Sequence, residues 1–306
     1  MSGCGIFQAG ALGLIASLVL LTLVKAAPIM YAALGGVISE RSGVINIGLE
    51  GLMAAGAFGA AVISYFTHSG VLGLFAGIVA GAIIGYVFAL AVTKFKVDQV
   101  VAGMGINLIC SGGAAYGLIL LFNQPGASKI VSQLDAANVR CLNMNVGELI
   151  LIVLAFVLAT ALHVVLYRTP WGLRLRATGE NPLAVKSAGL NPLRFRLLAV
   201  VASGALAGLG GAFLAIGELN LYSDGMTAGR GFIALAAVIF GRWTPLGATG
   251  AAVVFGLFEA LQYWIAGQIA WLPADALAAL PYVAAIVALA GVTGRVRAPA
   301  ADGVPF

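Results

Sequence analysis

The chain has 306 residues, of which 61% are hydrophobic and only 9% charged. A soluble domain carries about 25% charged residues, so a soluble globular protein is excluded. The formal charge of +5 does not point to nucleic acid, because the bases lie in connections between apolar stretches and follow the positive-inside pattern.

Apolar stretches of span length recur from end to end. The predicted fold class is therefore all-α, a polytopic membrane helical bundle of about 8–10 segments, with residues 1–306 forming a single transmembrane domain. The first stretch, residues 9–38, would make one helix roughly 45 Å long, too long for one span and interrupted by Lys25. The expectation is two segments, 9–24 and a short 26–38 with Pro28 near its start, then a polar turn, Ser39 to Gly43. Further spans are predicted at 47–66, 71–92, 100–122, 148–167, 197–217, 246–266 and 276–292.

Basic clusters set direction. Lys94 with Lys96, the loop 168–196, and Arg295 with Arg297 are expected on the cytoplasmic side. Parity then requires residues 232–242 to cross as well, although they cover roughly 16 Å, about half the hydrocarbon core. The count becomes ten, with both termini cytoplasmic. Residues 26–66 and 231–266 share one pattern of short helix, polar turn and long helix. Paired short, Gly/Pro-interrupted segments point to a solute path; two merely tilted spans fit the same pattern. Gly77, Gly81 and Gly85 share one helix face, as do Gly204 and Gly208, and Gly51, Ala55 and Gly59. Such faces allow close backbone approach in lipid.

The polar segment 168–196 carries Arg168, Arg174, Arg176, Lys186, Arg194 and Arg196 against one acid, Glu180. Its middle, 180–190, reads as a short helix capped by Asn181, started by Pro182 and stopped by Gly189. A short cytosolic helix of this kind suits docking of a soluble partner; a solvated topogenic loop suits the same residues. The external loop 123–147 is polar and Gly/Pro-punctuated, a candidate for receiving a solute-binding protein; a plain connecting loop fits the same residues.

Catalytic signatures are missing. There is no GxxxxGK[ST] and no HExxH, His68 and His163 are isolated near span ends, and Cys4, Cys110 and Cys141 form no metal-type spacing. No cofactor and no metal is expected, and the chain reads as no enzyme. The candidate solute-path residues are the polar groups within or beside spans: Glu50, Asn107, Glu218, Arg230, Glu259 and Gln262. Ionisable groups at such depth face a cavity or a partner. Helix–helix hydrogen bonding fits the same residues; Glu50 also suits capping or pairing near the Ser39–Gly43 turn, and Arg230 also suits an interface anchor. Tyr263, Trp264 and Trp271 read as an interfacial aromatic belt.

Three strings carry a resemblance: GGVISERSGVINIGLEGLMAAGAF at 35–58, ATGENPLAVKSAGLNP at 177–192, and GFIALAAVIFGRWTPLGA at 231–248. They resemble the permease subunit of bacterial ABC importers for simple sugars and nucleosides, the group that includes ribose-type and branched-chain amino acid permeases. ERSGVINIGLEG is most similar to the nucleoside branch. The resemblance implies a lipid-embedded permease in the cytoplasmic (inner) membrane, paired with a second homologous permease or a copy of itself. It also implies an ABC ATPase and an extracytoplasmic solute-binding protein. Within 177–192 it implies a coupling helix for the ATPase, carried by Gly179, Glu180, Asn181, Pro182, Ala184, Lys186 and Gly189. The expected function is translocation of a small polar solute, a nucleoside, related purine or simple sugar, driven by ATP hydrolysis on a separate subunit. An ion-coupled secondary transporter is the alternative; it would need more buried carboxylates. A membrane-embedded enzyme is disfavoured by the missing nucleophile and metal motifs.

Overall fold

The computed structural model describes residues 11–134, 140–141, 144–266 and 298–306, together with Ala279 and Val283. The expected span 276–292 and the residues Cys4, Trp271, Arg295 and Arg297 lie outside the described residues. The elements run α1 (Ala11–Arg41), α2 (Leu49–Thr67), α3 (Gly70–Thr93), α4 (Gln99–Phe122), β1 (Arg140–Cys141), β2 (Met144–Asn145), α5 (Val146–Arg168), α6 (Pro170–Glu180), α7 (Pro182–Ser187), α8 (Pro192–Ala212), α9 (Arg230–Phe240) and α10 (Pro245–Ala266). The last turn of α8 continues as π-helix through Phe213–Glu218. Among the described residues, seven helices are long and apolar enough to cross a membrane, and α9 is a shorter apolar helix. This is the expected polytopic helical bundle.

The break expected at Lys25 is absent. α1 is one helix of 31 residues with Pro28 inside it, about 46 Å long. Lys25 does not end a helix because it is buried and ion-paired to Glu218, so its charge is neutralised within the bundle rather than carried out to water. The predicted short segment 26–38 is thus part of a long central helix, and of the two half-length helices expected only α9 is present. Among the described residues the count of segments is therefore one lower than expected. The reading that placed both termini on one side rested on that break, since a single helix puts Ala11 and Arg41 at opposite ends.

α1 forms the centre. Ala26, Ala27, Ile29, Met30, Tyr31, Ala32, Ala33 and Leu34 are fully buried, against α10, α8 and α9. The Tyr31 hydroxyl donates to the Leu151 carbonyl at 2.5 Å and so satisfies its one polar atom. The glycine faces meet as their spacing suggests. Positions on Gly77, Gly81 and Gly85 of α3 abut Gly204 and Gly208 of α8, and Gly56 of α2 abuts Gly208, so closely that a Cβ would strike backbone. Backbone-to-backbone packing of this kind supplies the van der Waals contact that holds helices together in lipid. α4 turns outward, with Val101, Leu108, Ile109 and Tyr116 exposed.

The chain between α1 and α2 is irregular. The turn 42–43 is followed by irregular backbone over 44–46 and a second turn at 47–48 before α2 begins. Asn46 is fully buried, and its amide donates to the Ser203 hydroxyl at 2.9 Å. Ser203 lies about 16 Å along α8 from Pro192. Non-helical backbone survives at such depth only when protein satisfies its polar groups. Here Gln99 accepts from the Ile45 N–H at 2.7 Å, Asn107 accepts from the Gly51 N–H at 2.7 Å, and the Asn107 amide donates to the Ile47 carbonyl at 3.0 Å. The interruption that the sequence placed before the Ser39–Gly43 turn therefore lies after it.

Candidate functional site

Two helix starts meet inside the bundle. α2 begins at Leu49, and α9 begins at Arg230 beside it. The Glu50 carboxylate, in the first turn of α2, accepts from the N–H of Gly229 at 2.8 Å and of Gly231 at 2.7 Å. The amino-terminal end of α9 thus receives a carboxylate on its free N–H groups, where the helix dipole favours negative charge. A Cβ on Gly231 would collide with the Glu50 backbone, so glycine is what lets the two starts approach. Glu50 caps α9, not the Ser39–Gly43 turn that lies near it in sequence.

Around this junction lie two buried ion pairs. Arg230 pairs with Glu259 of α10 and also donates to the Met226 carbonyl at 2.9 Å. Lys25 of α1 pairs with Glu218 at the end of α8, and its ammonium lies over the Tyr263 ring, 4.2 Å from the centroid. Four of the six predicted path residues, Glu50, Glu218, Arg230 and Glu259, therefore gather in one constellation. Three carboxylates face two cations there, a formal excess of one negative charge. One Glu218 carboxylate oxygen and the Arg230 Nε are buried without a hydrogen-bond partner among the described residues. Buried groups of this kind call for water or a bound solute.

Lys25 and Tyr263 are members of the site that the sequence alone did not supply. The only signal for Lys25 was a lone cation in an apolar run. Tyr263, expected in an interfacial belt, is half exposed, and its ring also faces the Lys25 ammonium. Asn107 stands apart, because both ends of its amide are taken by the backbone at Ile47 and Gly51. It braces the irregular segment rather than lining a path. Gln262 is half-buried, one residue from Tyr263 on α10. Among the described residues no group of three or more His, Cys, Asp or Glu is placed to hold a metal.

A second polar assembly forms at the end of the bundle that carries Arg41. The short helix expected over 180–190 is present as α7, and a second helix, α6, precedes it. Thr169 accepts from the Gly172 N–H at 3.2 Å and Pro170 takes the first position, which starts α6. Asn181 accepts from the Ala184 N–H at 3.1 Å and Pro182 starts α7. Proline cannot continue the preceding helix, so the chain turns at Asn181. α7 then ends before Gly189, whose φ of +77° suits glycine. Val185 is the buried residue of α7; Leu183, Ala184 and Lys186 face outward.

Behind α7 the backbone is clamped. Gly179 packs directly on the Arg41 carbonyl and the Gly43 backbone, with no room for a side chain. Segment 298–306 lies across the same place. Ala301 N–H donates to the Gly179 carbonyl at 2.8 Å, and Ala300 N–H to the Glu180 carboxylate at 3.3 Å. Arg196 of α8 donates to the carbonyls of Val304 at 2.8 Å and Ala301 at 3.3 Å. Glu40 accepts from the indole N–H of Trp243, beyond α9, and Arg41 donates to the Trp243 carbonyl at 2.6 Å. The polar turn, the end of α6 that leads into α7, and the far end of α9 therefore meet in one place.

Comparison with known proteins follows this architecture closely. The family described as "Branched-chain amino acid transport system / permease component" matches residues 18–292. The guanosine ABC transporter permease protein NupQ of Bacillus subtilis (strain 168) is 38% identical over 303 residues, covering 93% of this chain and 94% of that protein. The nucleoside ABC transporter permease protein NupC of Lactococcus lactis subsp. cremoris (strain MG1363) is 37% identical over 302 residues, with the same coverage of 93% and 94%. A solved ABC transporter of metal-chelate type, in an inward-facing conformation, shares the fold with a TM-score of 0.52 at 16% identity, covering 94% of this chain and 92% of that one. A buried bundle with re-entrant backbone, matched along nearly its whole length, belongs to the transport-system permease family, and the chain is a multi-pass membrane permease of an ABC transporter.

Proposed function

We propose that this chain carries nucleosides into the cell as the permease subunit of an ATP-driven importer. The observation that carries this reading is identity of 38% and 37% over 93% of the chain to permeases named for guanosine and nucleosides. The constellation of Glu50, Glu218, Arg230, Glu259, Lys25 and Tyr263 supports it chemically. Its unpartnered acceptor on Glu218 and donor on Arg230 suit a solute with hydroxyl and ring-nitrogen groups, and an aromatic ring suits a base. In this reading the protein sits in the cytoplasmic membrane beside a second permease subunit, identical or homologous. α7 is the coupling helix seated in a separate ATPase, through Ala184, Leu183 and Lys186. A solute-binding protein delivers from outside. The amino-terminal end of α1 is extracytoplasmic, and segment 298–306 is cytoplasmic with α6 and α7.

The test is uptake of radiolabelled guanosine into vesicles containing the permease, its co-expressed partner subunits and the binding protein. Uptake should require ATP and stop with an ATPase variant that cannot hydrolyse it. Uptake that ignores ATP and collapses with an ionophore would mean ion-coupled transport. Uptake of pentoses or amino acids with guanosine excluded would overturn the solute class.

A further inference from the structure

At the end of α3 a groove opens between α3 and α8. Leu90 and Thr93 of α3, Leu193, Arg194 and Leu197 of α8, and Lys94 and Lys96 of the α3–α4 connection line it, around a volume of about 330 Å³. Two kinds of wall meet here. Leu90, Leu193 and Leu197 form an apolar side. It continues along α3 through Val87 and Ile83, both about half exposed, and these belong to the acyl region of a bilayer. Lys94, Lys96 and Arg194 form the other side, at the end where the positive-inside pattern places the cytoplasm.

These cations are exposed, and the ion pairs found among the described residues involve other side chains; the Lys94 ammonium lies over the Phe95 ring, 6.0 Å from its centroid. The nearest acid in sequence, Asp98, is occupied as the cap of α4, accepting from the N–H groups of Val100 at 2.9 Å and Val101 at 3.0 Å. Lys96 is held in a left-handed backbone conformation, φ +53°, which turns the chain between α3 and α4 at this spot. Phe95, 70% exposed between the two lysines, is placed as an aromatic anchor at headgroup level.

We propose that this groove binds the phosphodiester headgroup of an anionic phospholipid of the cytoplasmic leaflet, with its first acyl carbons along Leu90 and Leu197. Charge complementarity commits it to an anion, and the continuous apolar wall commits it to a lipid rather than a free phosphate. Basic pockets between spanning helices on this side are suited to such headgroups. A lipid wedged there would brace α3 against α8, the glycine-to-glycine seam of the bundle.

The experiment is native mass spectrometry of the full transporter complex released from nanodiscs of phosphatidylglycerol and phosphatidylcholine in equal amounts. The wild-type complex should retain phosphatidylglycerol selectively. Lys94→Ala/Lys96→Ala/Arg194→Ala should weaken that retention on the order of a hundredfold, from three cations near a membrane surface. Arg168→Ala/Arg174→Ala, which removes exposed bases outside the groove, should leave retention unchanged. Millimolar inorganic phosphate should not displace the lipid. Equal retention of the two lipids by the wild type, or full retention by the triple variant, overturns the proposal. So does equal loss in the Arg168/Arg174 variant, or displacement by phosphate. Loss of the ATPase from the triple variant with its lipid intact would assign the groove to the soluble partner, which also overturns it.

Discussion

Neutralising one member of a buried ion pair leaves the other as an uncompensated charge. Lys25 and Glu218 are both largely buried, at 8% and 14% side-chain exposure. Lys25→Met should therefore destabilise the bundle by about 3–5 kcal/mol, while Lys25→Met with Glu218→Leu should recover most of that loss. Thermal unfolding in detergent compares them; equal melting of the single and double variants would show that the pair is not electrostatically coupled. The double variant should still lose uptake, because the constellation is then gone. Asp302 offers a pH signature outside the membrane. Burial pushes its carboxyl up to about 7, against the opposing pull of Arg196 and the Gly303 N–H. The other charged group that acts on it is Glu40 of α1; Glu180 of α6 accepts from the nearby Ala300 N–H. For an acid raised on folding, the contribution to docking is complete below its unfolded value of about 4 and is lost as pH rises through about 7. Amide exchange at Ala300 and Ala301, corrected for its intrinsic rate, should accelerate between about pH 4 and 7 and level off above that, and Asp302→Asn should flatten that rise. At this scale the sequence was readable where a charged residue stood in an apolar run, as with Glu50, Arg230 and Glu259. It was not readable for Lys25, whose partner lies 193 residues away; nothing local distinguishes a paired lysine from a helix end.

Elements in this protein act through their ends. The capping logic of α7 was visible in advance, since Asn181, Pro182 and Gly189 are local signals that need no tertiary information. The existence of α6 was not anticipated, although Thr169–Pro170 carries the same cap-and-proline pattern. The basic residues along it drew the reading toward a solvated loop. Together they set Gly179 at the joint, against Arg41 and Gly43. From there the chain runs through the irregular segment to Glu50 and the start of α9. If α7 is the coupling helix proposed above, a push on it would be carried to the polar constellation along these backbone contacts. Gly179→Ala places a methyl group against the Arg41 carbonyl and should spread this joint. The expected result is uptake reduced at least about tenfold, equivalent to about 1.4 kcal/mol in coupling, with ATPase association retained. Ala184→Asp acts differently, since Ala184 faces outward on α7. An unpaired carboxylate buried in a docked interface costs several kcal/mol, so ATPase co-purification and uptake should fall together. Normal uptake in this variant would mean that the face of α7 stays in water.

For the whole molecule, the number of crossings decides which side each end occupies. Hydropathy and basic residues placed α2 to α5, α8 and α10 within a few residues, because each is a long apolar run bounded by polar turns. They misjudged α1, because length and a lysine look the same in a broken helix and in a long helix with a buried partner. The difference is testable without a structure. In a background lacking Cys4, Cys110 and Cys141, single cysteines are placed at Ala11, Lys129, Lys186 and Asn220. Lys129 and Asn220 lie on one end of the bundle, where Val131 and Ser128 pair with Asn220 and Tyr222, and α7 lies at the other. A membrane-impermeant maleimide added to intact cells should label positions 129 and 220 and leave 186 untouched. Position 11 is the discriminating one. A continuous α1 crosses once and brings Ala11 out to the reagent, whereas a break at Lys25 would cross twice and hide it inside. Protection of position 11 with labelling of 129 would contradict the long helix. It would also leave Lys25 at a turn, where its buried pairing with Glu218 could not form.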